Sequence, residues 1–417
     1  HEKEGSFYTI KQLWSPVQIM NTSVDKQFDG KFSVENRYDF LNLNTCRFLW
    51  KQVKFPTATD ASNTTAQVLK QGEVQGSDVA AHSAGVLDIK TTILPDADAL
   101  FLTAIDRYGH ELWRWTFPVN KLNQANEVLS PLSNKVTSTE TENELTVKAK
   151  NHTFIFSKKD GQLKGVSVNN RKISFANGPR FIGARRADRS LDQFYNHDDE
   201  KAKEKDRTYS EFPDAAVFTK LDVKEDGGNL IVTADYKLGN LDKVQWTINP
   251  NGEAVLDYTY NFSGVVDLMG ICFDYPEDQV ISKRWLGAGP YRVWQNRIHG
   301  TQYDVWENDY NDPIPGETFT YPEFKGYFGS VSWMNIRTKE GTISLTNETP
   351  DAYIGVYQPR DGRDRLLYTL PESGISVLNV IPPVRNKVNS TDLCGPSSQP
   401  KWVNGPQSGR IIFRFME

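Results

Sequence analysis

Cysteine and histidine are scarce in this sequence, and the signatures they would build are missing. Cys46, Cys272 and Cys394 are the only cysteines in 417 residues. Odd in number and far apart, they form neither a disulfide framework nor a metal-ligand spacing. The six histidines, His1, His82, His110, His152, His197 and His299, include no H-x-x-x-H pair, so a zinc centre has no support. No G-x-S-x-G nucleophile turn occurs. No apolar run approaches the ~18–20 residues of a membrane-spanning helix; ALFLTAI and GRIIFRF are strand-sized. Basic residues are not in excess either, since the net charge is -5, and that argues against a nucleic-acid partner. The stretch WLGAGPYRVWQNRIHG, residues 285–300, carries two close glycines. It is no nucleotide loop: Arg292 stands where a dinucleotide fingerprint needs its third glycine, and no Lys-Ser/Thr pair follows.

What the chain does have is aromatic side chains, 10 Trp, 17 Tyr and 22 Phe, in short alternating runs. Ser6 is placed to cap a helix to about Trp14, with Phe7, Ile10 and Trp14 on one face. After Ser15 the signals are strands. About seven short strands fall within about the next 105 residues, which matches an immunoglobulin-like sandwich, although no Cys–Trp–Cys core is present. The polar stretch from Pro56 to Gly85 reads as loop or weak edge strand. Residues 121–141 read as a linker. Beyond them a meander begins, with Asp160-Gly161, Asn169-Asn170 and Asn251-Gly252 between alternating runs as tight-turn signals. Strands at roughly ten-residue spacing continue to the GRIIFRF run, implying a large two-layer sandwich. The expected fold class is therefore all-β.

Candidate chemistry is sparse. Asp198, Asp199 and Glu200 offer the oxygen ligands of a hard cation, but KAKEKDR follows at once. The segment reads as a self-neutralising surface run, and no metal or other cofactor is expected. Glu323 stands out among the carboxylates because aromatics flank it on both sides. Trp294, Trp306 and Trp333 cluster with Tyr291, Tyr303, Tyr310 and Tyr327 in about forty residues. Flat aromatic faces beside fixed polar groups suit pyranose rings, and a sandwich core claims about half of them.

The order of these pieces resembles the C-terminal third of the glycoside hydrolase family 2 β-galactosidases. GSFYTIKQLWSPVQI is similar to the last barrel helix and exit strand. FSVENRYDFLNLNTCRFLWKQ matches the start of the second immunoglobulin-like domain through Asn36, Tyr38, Phe40, Leu43 and Trp50. HTFIFSKKDGQLKGVSVNNRKI resembles the opening of the galactose-mutarotase-like sandwich, and Arg186-Ala187-Asp188-Arg189 stands where the family has R-A-P-x-D-N-D. Trp285, Gly287, Gly289, Pro290 and Arg297 match the family's W-x-G-x-G-P run. The resemblance implies four segments. Residues 1–16 are the tail of a catalytic barrel with its linker, and 17–120 an immunoglobulin-like β-sandwich. Residues 121–141 are a linker, and 142–417 a mutarotase-like β-supersandwich.

In that family both catalytic glutamates belong to the barrel, and this chain lacks the alternating βα pattern that a barrel needs. The resemblance thus implies an accessory region of a retaining β-glycosidase, inactive alone, that shapes the sugar cleft and the domain packing. Its implied partners are a β-linked oligo- or polysaccharide, the upstream barrel of the same polypeptide and a second copy of the full-length protein. Neither a nucleic acid nor a membrane is among them, and the compartment is open, with a lean to a periplasmic or secreted parent. Trp402 is the implied counterpart of the family's sugar-stacking tryptophan. Glu323, Trp294, His299 and Arg297 complete the candidate substrate-binding set. Trp294, Asn296 and Arg292 replace the family's Tyr, Asp and Glu, which points away from galactose toward another β-glycoside. Two alternatives stay open: a free-standing mutarotase-like epimerase or lyase using His299 and Glu323, and a carbohydrate-binding module.

Overall fold

The computed structural model describes residues 3, 5–60, 65–119, 135–186, 209–309, 326–356, 373–383 and 395–417. The chain divides into two compact units. One comprises residues 1–126, 286–291 and 299–306, and the other 127–285, 292–298 and 307–417.

The first unit opens with a helix, α1 (Gly5–Leu13), two residues earlier than a Ser6 cap would start it, so Ser6 lies within its first turn. Polar contacts hold it: Thr9 Oγ1 donates to the His299 carbonyl at 2.9 Å, and the Gly300 N–H donates to Gln12 Oε1 at 2.6 Å. Its apolar side chains stay in solvent, with Phe7, Ile10, Leu13 and Trp14 all exposed. Seven strands follow: β1 (Val17–Ile19), β2 (Lys31–Asn36), β3 (Arg47–Lys54), β4 (Gln67–Gln75), β5 (Ser83–Asp88), β6 (Ala99–Ile105) and β7 (Glu111–Pro118). They make a three-stranded sheet, β1-β2-β5, and a four-stranded sheet, β4-β3-β6-β7. The weak strand expected between Pro56 and Gly85 is β4, at an edge.

The motif residues at the start of this unit are structural. The fully buried Asn36 donates from Nδ2 to the Leu41 and Val79 carbonyls, both at 2.9 Å, so its amide leaves no unsatisfied donor in the core. Leu43 and Trp50 join the same core, while Phe40 is 95% exposed and packs nothing. Gly72 sits against the Trp50 indole, where a Cβ would come within 2.4 Å of the ring.

The second unit contributes nearly all the remaining strands. In chain order the first of these are β8 (Thr137–Glu140), β9 (Glu144–Ala149), β10 (His152–Ser157), β11 (Leu163–Val168), β12 (Arg171–Ile173), β13 (Ala176–Arg186) and β14 (Tyr209–Glu211). Next come β15 (Val217–Asp226), β16 (Asn229–Lys237), β17 (Leu241–Ile248), β18 (Ala254–Val266), β19 (Leu268–Asp274), β20 (Val280–Gly289) and β21 (Gln302–Asp309). The last are β22 (Trp333–Thr338), β23 (Gly341–Asn347), β24 (Tyr353–Gly355), β25 (Ile375–Val380) and β26 (Lys401–Met416).

One sheet runs β24-β25-β19-β13-β11-β10-β9-β8, with β12 and β14 attached. The other runs β15-β16-β17-β18-β26-β23-β22-β20-β21. The ladders of β13 on β19, β17 on β18 and β18 on β26 are antiparallel, as hairpin-rich sequences favour. The predicted turns are present: Asn169 and Asn170 take φ of 48° and 64° between β11 and β12, and Gly252 takes 88° between β17 and β18. Alternation along β18 buries Ala254, Leu256, Tyr258 and Tyr260 and turns Asp257 and Thr259 outward. Between the two sheets the buried aromatics interlock. Phe175 lies 5.1 Å from Phe413, Trp246 6.0 Å from Phe273, and Phe181 5.4 Å from Tyr260. Each such ring removes ~150–250 Å² from water, so this aromatic layer is the main source of cohesion in the large sandwich. The fold class read from sequence, an all-β chain built from a smaller and a larger sandwich, is the one observed among the described residues.

Candidate functional site

The glycines of the W-x-G-x-G-P run do not mark a bend, as their spacing suggests. Gly289 ends β20 in extended backbone, and a Cβ there would lie 2.4 Å from the Trp306 indole. That indole donates from Nε1 to the Gly287 and Gln302 carbonyls at 3.2 and 3.1 Å. Close ring-to-backbone packing, rather than a left-handed turn, therefore requires the small residue.

A few residues on, Trp294 and Arg297 exchange backbone hydrogen bonds of 3.3 and 2.9 Å and close a two-residue turn. Its tip residues grip the segment that leads into β26. Gln295 Nε2 donates to the Ser397 and Gln399 carbonyls at 3.0 and 2.8 Å, and Asn296 Nδ2 donates to Ser398 Oγ at 3.3 Å. The Gln295 N–H also donates to the Pro382 carbonyl at 3.1 Å. This clamp fixes where β26 begins, and so fixes Trp402, whose Cα is in register with Val265 on β18. Trp402 is 71% exposed.

The candidate residues separate by environment. Trp294 is buried, its ring 5.6 Å from Tyr327 in a T-shaped contact within an apolar cluster, so it serves the core and offers no face to a ligand. Arg297 is half-buried in the second unit, and His299 is exposed in the first. Arg292, the departure from the family's Glu, is buried with its guanidinium 5.8 Å from the Phe328 ring. Lys283 is wholly buried, its ammonium 5.6 Å from that ring. Glu323 lies outside the described residues, as do Asp198, Asp199, Glu200 and Cys394. Among the described residues no group of three His, Cys, Asp or Glu side chains could hold a metal ion.

A second feature has no local sequence signal. On the outward face of the nine-stranded sheet, β17, β18 and β26 bring Gln245, Asp257 and Arg410 into one cross-strand row, and Lys243, Thr259 and Ser408 into the next. The segment Glu348–Pro350, just past β23, rises beside them as a wall, and the hollow has a volume of about 400 Å³. Arg410 fixes it. Its Nη1 donates to both Asp257 carboxylate oxygens at 2.8 and 2.9 Å, and its Nε lies 3.1 Å from Glu348 Oε2. The Arg410 carbonyl accepts from the Glu348 N–H at 3.0 Å, which ties the wall to the floor. The side chains of Lys243 and Gln245 make no hydrogen bond among the described residues. The six floor residues are scattered over 167 positions of sequence, from 243 to 410, and only strand register unites them.

A family profile described as the beta galactosidase small chain matches residues 148–380. No curated protein matches the sequence. Among solved structures, a galactose 1-epimerase from Lactobacillus acidophilus NCFM is similar at 10% identity and a TM-score of 0.36, over 68% of this chain and 98% of the other. A protein described as a mutarotase, YeaD, from Salmonella typhimurium is similar at 8% identity and a TM-score of 0.32, over 69% and 96%.

Proposed function

The chain belongs to the beta-galactosidase small-chain family, and from that premise we propose that it is the accessory portion of a retaining β-glycosidase of glycoside hydrolase family 2. The observation that carries this reading is the architecture itself: among the described residues there is one α-helix, of nine residues, and every other long element is a strand. A retaining glycosidase needs two carboxyl groups ~5–5.5 Å apart, supplied in this reading by a (β/α)₈ barrel of the same polypeptide. The exposed apolar side chains of α1, Phe7, Ile10, Leu13 and Trp14, give that barrel a surface to cover.

The chain's own contribution is a sugar platform. Trp402 presents a flat, exposed aromatic face of the kind that stacks on the C–H face of a pyranose. The Gln295 and Asn296 clamp on residues 397–399 holds its approach in place, so little ordering cost falls on binding. The substrate in this reading is a β-linked oligo- or polysaccharide.

The test is reconstitution. The chain alone should not turn over nitrophenyl β-glycosides, whereas the chain joined to its barrel should. Trp402→Ala in the joined protein should raise KM several-fold more than it lowers kcat. Hydrolysis by the chain alone would overturn the reading.

A further inference from the structure

We infer that the hollow over β17, β18 and β26 is a second saccharide-binding site, separate from Trp402, that takes a neutral oligosaccharide. Outward faces of antiparallel sheets are commonly polar, so polarity alone assigns nothing. Three further features set this face apart.

The first is shape. The Glu348–Pro350 wall converts a flat sheet into a concavity of about 400 Å³, within the size range of ligand pockets. The second is preorganisation. Arg410 is held from two sides by Asp257 and Glu348, so its remaining N–H groups and the carboxylate lone pairs point in fixed directions. Lys243 and Gln245 stand beside this fixed set with donors and an acceptor unspent, and Thr259 and Ser408 add hydroxyls.

The third is extent. Strand register continues both rows outward, placing Thr233 and Asp222 beyond Gln245, and Asp235 and Lys220 beyond Lys243. Lys220 is pinned between Asp222 and Asp235 at 2.6 and 3.3 Å. Two adjacent rows of hydrogen-bonding side chains thus cross five strands, or roughly 19 Å at the usual interstrand spacing. That length suits a chain of sugars better than a single ring.

Charge and chemistry select the ligand class. Two cations and two carboxylates cancel in the hollow, and the outer extension adds two carboxylates and one cation. A phosphate, sulfate or uronate would meet no net positive field and several carboxylates. No aromatic or large apolar side chain lies in the outward rows, so a hydrophobic ligand gains little. What remains is a neutral polyol, recognised edge-on through its hydroxyls.

The experiment is titration calorimetry of the whole chain with short neutral oligosaccharides of galactose, glucose, xylose and mannose, and with a sulfated galactan fragment. At least one neutral series should bind. Gln245→Ala combined with Lys243→Ala should weaken it about tenfold, the loss of about two ordinary hydrogen bonds, with the melting temperature unchanged. Trp402→Ala should leave this binding in place. Binding abolished by Trp402→Ala but untouched by the Gln245/Lys243 pair would overturn the inference, as would tighter binding of the sulfated fragment or no binding of any neutral series. The reconstitution test of the accessory role is independent of each of these outcomes.

Discussion

The imidazole of His152 bridges the two sheets of the large sandwich, its Nε2–H donating to the Phe415 carbonyl at 2.8 Å. The ring stacks 6.2 Å from Phe154, and Gly252 abuts it so closely that a Cβ there would lie 2.1 Å from Nδ1. Burial, seconded by Lys150, outweighs the favourable backbone carbonyls and holds the His152 pKa below its ordinary 6.5. A depressed histidine pKa means that the unfolded chain binds the proton first as pH falls. Stability is therefore full above about pH 6.5 and declines as pH drops through the folded-state pKa. Urea unfolding between about pH 8 and 5 should show this decline, and His152→Gln should flatten it. An unchanged slope in the variant would assign the decline elsewhere.

Gly252 offers a related prediction about space. Its φ of 88° disfavours any side chain, and the imidazole leaves no room for one. Gly252→Ala should cost ~1–3 kcal/mol, measured by chemical denaturation. In a His152→Ala background, part of that cost should be recovered, because the steric component disappears while the backbone component stays.

Arg414 on β26 and Glu253, in the turn just before β18, form a nearly buried ion pair, and Arg414 Nη1 also donates to Thr346 Oγ1 at 3.1 Å. Arg414→Met should destabilise by ~3–5 kcal/mol, because it removes the cation facing the nearly buried Glu253 carboxylate and leaves it the Asn249 amide at 2.6 Å. Arg414→Met with Glu253→Gln should cost clearly less than the sum of the two single changes. A double-mutant cycle with no coupling would mean that water already serves Glu253.

Trp294 and Trp402 should fail in opposite ways. Trp294→Ala opens a void against Tyr327 and should lower stability by ~3–5 kcal/mol, with saccharide affinity altered only as the fold loosens. Trp402→Ala should leave the melting temperature within about 1–2 °C, since a 71% exposed ring buries little, and should weaken sugar stacking. Calorimetric scans of the two variants side by side distinguish core from platform.

Much of this was legible before any coordinates. Alternation with Asp-Gly, Asn-Asn and Asn-Gly punctuation gives strands and hairpins because those signals are local, with a period of two and left-handed turn residues. The family motifs were legible too, but their roles were not. Asn36 turned out to be a saturated core amide, Phe40 an exposed ring, and Gly289 a seat for the Trp306 indole. A tryptophan's spacing does not say which face of a turn it takes, so Trp294 and Trp402 looked alike in sequence. The hollow around Arg410 was invisible for a stronger reason. Its residues meet only through the register of β17 on β18 and of β18 on β26, which is a long-range property of the fold.

The placement of β26 has a bearing on how the molecule is made. It lies between β18 and β23 in the middle of its sheet, although both neighbours precede it by long intervals in the chain. Strands β15–β18 and β20–β23 are all complete in the chain before the strand that joins them in the sheet. Without residues 401–416, β18 and β23 lack the partner that each pairs with in the finished sheet. Closing this sheet is therefore a long-range event in sequence, and a chain cut short before Lys401 would leave two unpaired edges of the kind that invite edge-to-edge aggregation.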